Sequence, residues 1–321
     1  MFRYKKGAVP NILRFTHKIM PKWMTITPIL SEYENRHLFE IPFGDVKIVP
    51  TPDWLRNEAI VKDLGLSRKM RLEDSEVMFL LEYEADSYGD PVKNWKSETA
   101  KSKQDIAFER IQLCNLALWL AKPTHLATDL LLHIQDDGEG YRLVRHSSSH
   151  QSINPHIRDR KNSHDKESYD KARKLNIKIW DLERKHSPWM ATRSLFDALT
   201  THTWEVRFIL LWVALEALFG TNSEITYRLS NRISFFLSNN KTEAKKLFLD
   251  MKTSYGLRSE IIHGLKISKA KGKKRDIEKV VYDTETTIRS ALSKILLDKK
   301  LTDIFSIEKK REEFLDELAY V

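Results

Sequence analysis

The chain has 321 residues, a single cysteine and a formal net charge of +9 at neutral pH. Because Cys114 has no second cysteine to pair with, the composition excludes the small secreted proteins that are held together by intrachain disulfides. The length exceeds that of most single hydrophobic cores and predicts two domains. The positive charge favours an anionic partner, most often a nucleic acid, over a solvated basic surface without a ligand.

The first twenty residues lack the apolar stretch of a signal peptide, and no segment approaches the roughly 20 apolar residues that span a bilayer. We therefore expect a cytoplasmic protein without membrane contact. The sequence contains no glycine-rich phosphate loop, no Cys-x-x-Cys pair and no serine in a nucleophile elbow. No cofactor is expected.

Residues 1–160 are predicted to form an α+β domain that senses a signal or selects a substrate. Residues 105–120 read as a helix because apolar side chains recur through them. The segment 135–140 is rich in turn-forming residues and predicts a hairpin connection. Strand-like runs lie at residues 46–49, 77–83, 130–134 and 141–145.

A polar stretch from His146 to His164 follows, and it contains four histidines. His146 and His150 have the spacing of two metal ligands on one helical face. However, the serines and Pro155 argue against a helix there, and no cysteine accompanies the histidines. A mobile linker or a binding loop is the favoured interpretation, and no bound metal is expected.

Residues 161–321 are predicted to be an all-α bundle, so the chain should be mainly helical. Candidate helices lie near residues 164–185, 189–219, 224–238, 241–252, 256–263, 276–297 and 307–319.

The most informative segment runs from Tyr255 to Gly264 and predicts the end of a short helix. Gly264 is the residue type that most often ends a helix in a left-handed conformation, which places His263 in the last turn. Histidine is the side chain whose charge changes near physiological pH, so His263 can exchange a proton. Arg258 stays charged throughout.

Arg258 and His263 are five positions apart, so on an ideal helix their side chains point about 140° away from each other. Ser259 and His263, four positions apart, share a face. One helix alone therefore aims the arginine and the histidine poorly. A second chain related by a twofold axis would bring two copies of each together, which predicts a homodimer.

At these residues the chain resembles the HEPN superfamily, whose signature is an arginine followed by four to six residues and a histidine, and within it the ApeA-like branch. The resemblance covers residues 189–297. It includes the apolar segment 207–219, which is similar to the core helix of that branch, and the segment 227–232. Ser259, directly after the arginine, is typical of the ApeA-like branch, whereas many members of the superfamily carry Asn, Asp or His there.

The resemblance implies an all-α HEPN-like bundle and a metal-independent endoribonuclease, in which the ribose 2′-hydroxyl attacks the adjacent phosphate. His263 would move the proton, Arg258 would hold the phosphate, and Ser259 would orient the histidine or the substrate. Members of the family act in phage defence or as toxins. The implied partners are therefore RNA, either tRNA or mRNA, and an antitoxin or a phage-derived trigger.

Glu216 is the only ionisable residue between 208 and 219, a segment that is apolar on every side and predicts a central helix. A buried carboxylate needs a cationic partner, and Arg258 and Arg232 are the candidates. Glu216 would either orient Arg258 within the site or serve as a structural ion pair.

A cluster of basic residues follows the motif and would attract phosphate. The alternative for this cluster is a solvated loop between helices. Its members are Lys266, Lys269, Lys271, Lys273, Lys274 and Arg275.

Two further functions remain open at this stage. The chain could be a non-catalytic module of the same fold that binds RNA or a nucleotide in a dimer groove. It could also be a pure interaction protein, in which Arg258 and His263 hold the dimer together.

Overall fold

The structure is a computed structural model with two compact units, Met1–Trp180 and Asp181–Val321. It describes residues 4–5, 21–29, 41–62, 64–90, 92, 102–128, 130–148, 152–153, 156, 159, 162–220, 225–264 and 276–318. The first unit is an α+β structure built around one sheet, and the second is helical throughout its described residues, so the predicted coarse layout is confirmed.

The first unit contains a seven-stranded sheet in which every neighbouring pair of strands is antiparallel, with the order β1-β7-β6-β2-β5-β4-β3. The predicted hairpin is confirmed, because β6 and β7 pair across the turn at Gly138, whose φ is +87°. The strands are β1 Tyr4–Lys5, β2 Lys22–Ile29, β3 Ile41–Phe43, β4 Val46–Pro50, β5 Val77–Glu84, β6 Leu130–Asp136 and β7 Gly140–Ser148.

Helices cover both faces of this sheet. A 3-10 turn at Asp53–Arg56, α1 (Glu58–Val61) and α2 (Leu66–Glu73) contribute apolar side chains to one face. The other face packs against α3 (Lys103–Ala121) and α4 (Lys166–Asp181). Helix α3 begins at a capping box, in which Ser102 and Asp105 exchange side-chain and backbone hydrogen bonds.

Helix α4 packs with the sheet unit. Asn176 donates a hydrogen bond of 3.2 Å to the carbonyl of Phe43 and lies 3.4 Å from Sγ of Cys114. The guanidinium of Arg110 stacks on the ring of Trp180 at 4.1 Å. The division of the chain therefore falls after Trp180, later than the boundary near residue 160 that the change in pattern suggested.

The described part of the stretch from His146 to His164 belongs to the sheet unit, which differs from the predicted linker. His146 lies in β7 opposite Leu132, and Ile153 forms a bridge to Leu126. Among the residues that the structure describes, no group of three or more His, Cys, Asp or Glu side chains could hold a metal ion. His150 lies outside the described residues.

The second unit consists of seven helices within its described residues, and none of the helices described in the chain is long and apolar enough to cross a membrane. They are α5 Ser187–Thr200, α6 Trp204–Phe219, α7 Ile225–Leu237, α8 Lys241–Ile262, α9 Ile277–Leu297, α10 Lys299–Phe305 and α11 Glu308–Glu317.

Three helix predictions in this unit are corrected. The segment 189–219 is two helices, because the backbone of Thr201 is extended at the end of α5 and Thr203 is extended before α6. The segments 241–252 and 256–263 form one continuous helix, α8, despite Gly256. Helix α10 was not predicted, and its start is capped by Asp298, which accepts a hydrogen bond from the backbone of Leu301.

Helices α6, α8 and α9 are tied together by buried polar side chains. The indole nitrogen of Trp212 donates a hydrogen bond of 3.1 Å to the hydroxyl of Ser254. That hydroxyl lies 2.7 Å from the hydroxyl of Thr284. Since all three residues are at most 1% exposed, these bonds fix the position of α8 along its axis relative to α6 and α9.

Two buried histidines make the stability of the sheet unit depend on pH. His133 lies 3.1 Å from the hydroxyl of Thr25, and His164 lies 2.7 Å from that of Thr124. Burial lowers the pKa of His133 from 6.5 to about 4, with Arg145 adding to the shift. Burial and Lys122 lower the pKa of His164 to about 4 as well.

Because the unfolded chain takes up these protons near pH 6.5 while the folded chain resists them until about pH 4, acid favours unfolding. We expect the unfolding free energy to be greatest above pH 6.5 and to lose about 2 kcal/mol per histidine by pH 5. Urea unfolding at pH 7 and pH 5 measures this loss.

The double variant His133→Gln, His164→Gln should show a much smaller difference between the two pH values. The exposed His202→Gln variant is the control and should behave as the wild type does. An undiminished pH difference in the double variant would show that these histidines are not the cause.

Candidate active site

Helix α8 carries the arginine, the serine and the histidine of the motif and ends as predicted. Its backbone reaches Ile262, and His263 is the terminal residue, with φ −84° and ψ 5°. Gly264 follows in the left-handed conformation at φ +62°, which other residue types rarely adopt. The predicted glycine cap and the position of His263 in the last turn are confirmed, but the helix is long, with 22 residues.

Arg258 points from α8 towards α6, where it forms an ion pair with Glu216. Its Nη2 lies 3.0 Å from Oε1 of Glu216 and donates a hydrogen bond of 3.3 Å to Oε2. The two side chains are 23% and 28% exposed, so the pair is mostly shielded from water. Of the two cationic partners predicted for Glu216, Arg258 is the one that contacts it.

Burial raises the pKa of Glu216 above its ordinary value, and the cation of Arg258 opposes this shift. Because the net pKa is raised, burial is the larger effect and the arginine offsets only part of it. The contact with Glu216 places the guanidinium on the α6 side of α8. It fits both alternatives for Glu216, the orientation of Arg258 within a site and a structural ion pair.

Tyr255 supports the same guanidinium from a second side. The Cζ atom of Arg258 lies 5.3 Å from the centre of the Tyr255 ring, within the range of a cation–π contact. The ring of Tyr255 meets the ring of Trp212 edge to face at 5.1 Å. Spacing could have indicated this contact, because Tyr255 and Arg258 are three positions apart on one helix.

Ser259 and His263 are connected through the backbone, since the amide of His263 donates a hydrogen bond of 3.1 Å to the carbonyl of Ser259. Ser259 is partly buried and His263 is exposed. Arg258 faces α6, whereas the helical position of His263 is roughly 140° away. On one helix the two positions are therefore poorly aligned for a shared ligand, as the spacing predicted.

Arg232 does not pair with Glu216, which corrects the candidate pairing. Its guanidinium donates hydrogen bonds of 2.7 Å to Glu312 and 2.8 Å to Asp316 of α11. It also donates a bond of 2.8 Å to the carbonyl of Gly220, at the end of α6. Burial disfavours the charge, but the bonds to Asp316 and Glu312 outweigh this and raise the pKa of Arg232.

Arg311 of α11 holds the same end of α6. It donates a hydrogen bond of 3.0 Å to the carbonyl of Ala217, and it also bonds to Ser187. The last carbonyls of a helix have no partner within the helix, so these two arginines satisfy groups that would otherwise need water. Arg232 and Arg311 therefore fix the turn of α6 that carries Glu216.

The basic cluster from Lys266 to Arg275 lies outside the residues that the structure describes. Its proposed contact with RNA stays a prediction.

Comparisons of the chain with protein-family models, with curated proteins and with solved structures give no match. The candidate site therefore depends on the geometry of α6 and α8 and on the chemistry of the residues that they carry.

The Glu216–Arg258 contact should be measurable as a coupling free energy. In a double-mutant cycle with Glu216→Gln and Arg258→Gln, we expect the two changes to be non-additive by about 1 kcal/mol, because each removes the partner of the other. Chemical unfolding of the four proteins gives this value.

The matched control is the cycle of Glu216→Gln with Arg193→Gln. Arg193 is an arginine of the same unit, but its Nη2 lies 3.2 Å from Oδ1 of Asp197 in its own helix, α5. We expect its effect to add to that of Glu216→Gln within a few tenths of a kcal/mol. Equal coupling in the two cycles would contradict the assigned pairing.

Proposed function

We propose that the chain is a metal-independent endoribonuclease of the HEPN type, related to the ApeA-like branch, in which the second unit cleaves RNA. The observation that carries the proposal is the arginine at position 258, oriented by Glu216 and Tyr255, on a helix that ends with an exposed histidine. Guanidinium groups bind phosphate oxygens, and a histidine transfers protons near neutral pH.

In this mechanism Arg258 holds the scissile phosphate and stabilises the charge that develops on its oxygens. His263 transfers a proton, either from the 2′-hydroxyl or to the leaving 5′-oxygen. The 2′-oxygen forms a bond to phosphorus as the bond to the 5′-oxygen breaks, which leaves a cyclic phosphate and a 5′-hydroxyl. Ser259, on the same face as His263, orients the imidazole or the substrate.

The active species is proposed to be a homodimer, since one chain points Arg258 and His263 in different directions. An apolar stripe on α6 supports this association. Val206 is 45% exposed and Val213 is 37% exposed, with Leu210 between them and Glu216 one turn further on. An exposed row of apolar side chains on a central helix marks an interaction surface.

A non-catalytic RNA-binding module of the same fold is the second candidate. One observation favours it: Nη2 of Arg258 is already engaged by Glu216. In such a module the arginine would keep the helices together, and RNA would be held without being cut. A role in phage defence or as a toxin, with an antitoxin or a phage-derived trigger, belongs to the ribonuclease proposal alone.

Incubation with total RNA and tRNA in excess EDTA tests the proposal. We expect the wild-type protein to produce fragments with cyclic-phosphate and 5′-hydroxyl ends, identified by end mapping. The His263→Ala variant should lose about 100-fold or more of the rate, because general acid–base catalysis contributes at least that much. His202→Ala, an exposed histidine of the same unit, is the control and should cleave normally.

Three results decide between the candidates. Cleavage by wild type and His202→Ala but not by His263→Ala supports the ribonuclease. Full activity of His263→Ala shows that the site is misassigned. RNA binding without cleavage in all three proteins supports the binding module.

A further inference from the structure

One face of α8 carries lysine and aromatic side chains in line with the exposed histidine. The residues on this face are spaced by three or four positions, so they form a single row along the helix. We call this row the α8 stripe; it consists of Lys241, Lys245, Phe248, Lys252, Tyr255, Ser259 and His263. From its first to its last member the row extends over roughly 33 Å, at the helical rise per residue.

The three lysines of the α8 stripe are exposed, and no described carboxylate lies within ion-pair distance of them. The acidic residues in the lysine-bearing part of the helix are engaged elsewhere. Glu243 accepts a hydrogen bond from the backbone of Asn239, and Asp250 lies near Lys279. The α8 stripe itself therefore carries three lysines and no carboxylate, whereas Glu243, Asp250 and Glu260 lie at other positions of the helix.

An exposed aromatic ring from the neighbouring helix lies beside this row. Tyr227 of α7 is 58% exposed, and its ring centre is 5.5 Å from that of Phe248, at an angle of 73°. Leu249 adds an apolar side chain that is 54% exposed. A solvated lysine surface does not require exposed rings, whereas lysines interleaved with aromatic rings are the pattern of surfaces that bind single-stranded nucleic acid.

We propose that the α8 stripe and Tyr227 form a track for single-stranded RNA that leads to His263. The lysines contact successive phosphates, while unpaired bases stack on Tyr227 and pack against Phe248 and Leu249. A duplex would bury the faces of its bases, so the rings select a single strand. This inference rests on the proposed ribonuclease function and assigns its substrate-binding surface to described residues outside the motif.

The test measures binding by fluorescence anisotropy of a labelled 2′-O-methyl oligoribonucleotide, whose blocked 2′-oxygen cannot attack the phosphate. Full-length wild type is compared with the triple variant Lys241→Gln, Lys245→Gln, Lys252→Gln over a series of salt concentrations. We expect the slope of log affinity against log salt to become shallower by about 2, at roughly 0.7 per lost phosphate contact.

The control triple variant is Lys246→Gln, Lys299→Gln, Lys300→Gln, which removes the same charge from exposed lysines away from the stripe. Its slope should equal that of the wild type. For the aromatic part of the track, Tyr227→Ala should weaken binding about tenfold, while Tyr227→Phe keeps the ring and should bind normally.

Equal slopes for the two triple variants, or equal binding of the same oligonucleotide as a duplex, would overturn the track. If wild type binds and cleaves RNA while the stripe variants bind as wild type does, only the track fails and the ribonuclease proposal stands. If wild type binds no RNA even at low salt, both proposals fail.

Discussion

The ion pair between Glu216 and Arg258 is the contact on which the candidate site depends. It joins α6 to α8 through a carboxylate whose pKa is raised by burial and a guanidinium that opposes this shift. Neither group would be stable at this position alone, because a half-buried charge without a partner costs free energy. The arginine of the motif is thereby held in one orientation by Glu216 and by the ring of Tyr255.

This pair can form only if α6 and α8 keep one axial position relative to each other. The buried bonds from Trp212 to Ser254 and from Ser254 to Thr284 determine that position in the middle of the helices. At the end of α6, Arg232 and Arg311 bind the carbonyls that follow Glu216. Two arginines that do not touch Glu216 therefore still determine where it lies.

The predictions that are confirmed rest on signals from a few neighbouring residues. The glycine at position 264 marked the end of α8, and the turn-rich segment 135–140 marked the hairpin, because both depend on backbone conformations that few residue types adopt. The expectation of a cationic partner for Glu216 followed from the need to neutralise a buried carboxylate, although it left Arg258 and Arg232 both open. These predictions required no knowledge of distant packing.

The predictions that failed depended on tertiary contacts. Strand β2 was missed because its residues do not alternate between apolar and polar, since every residue from Trp23 to Ile29 is buried. The break at Thr201–Thr203 lacks glycine and proline, and so it gave no local signal. Gly256 misled the prediction in the other direction. Glycine disfavours helix, so two helices were expected, but α8 continues through Gly256 because the neighbouring Ser254 and Leu257 are buried in the core.

The partners of Arg232 lie 80 or more positions away in α11. Spacing along the chain carries no information on such a contact. The prediction named Arg232 as one of two candidate partners because a buried carboxylate needs a cation, and nothing in the sequence shows which cation lies beside it. Only the packing of α11 against the end of α6 selects Glu312 and Asp316.

The direction of Arg258 bears on how many copies of the chain a catalytic unit would need. Arg258 contacts Glu216 on the α6 side of α8, whereas His263 is exposed at the helix end, about 140° further round an ideal helix. Acid–base catalysis at a phosphate requires both groups within hydrogen-bond reach of the same phosphoryl group. If the ribonuclease proposal holds, the missing group must come from a second copy, and the exposed apolar row of α6 lies on the helix that bears Glu216. Catalysis would then depend on chain concentration as well as on the motif.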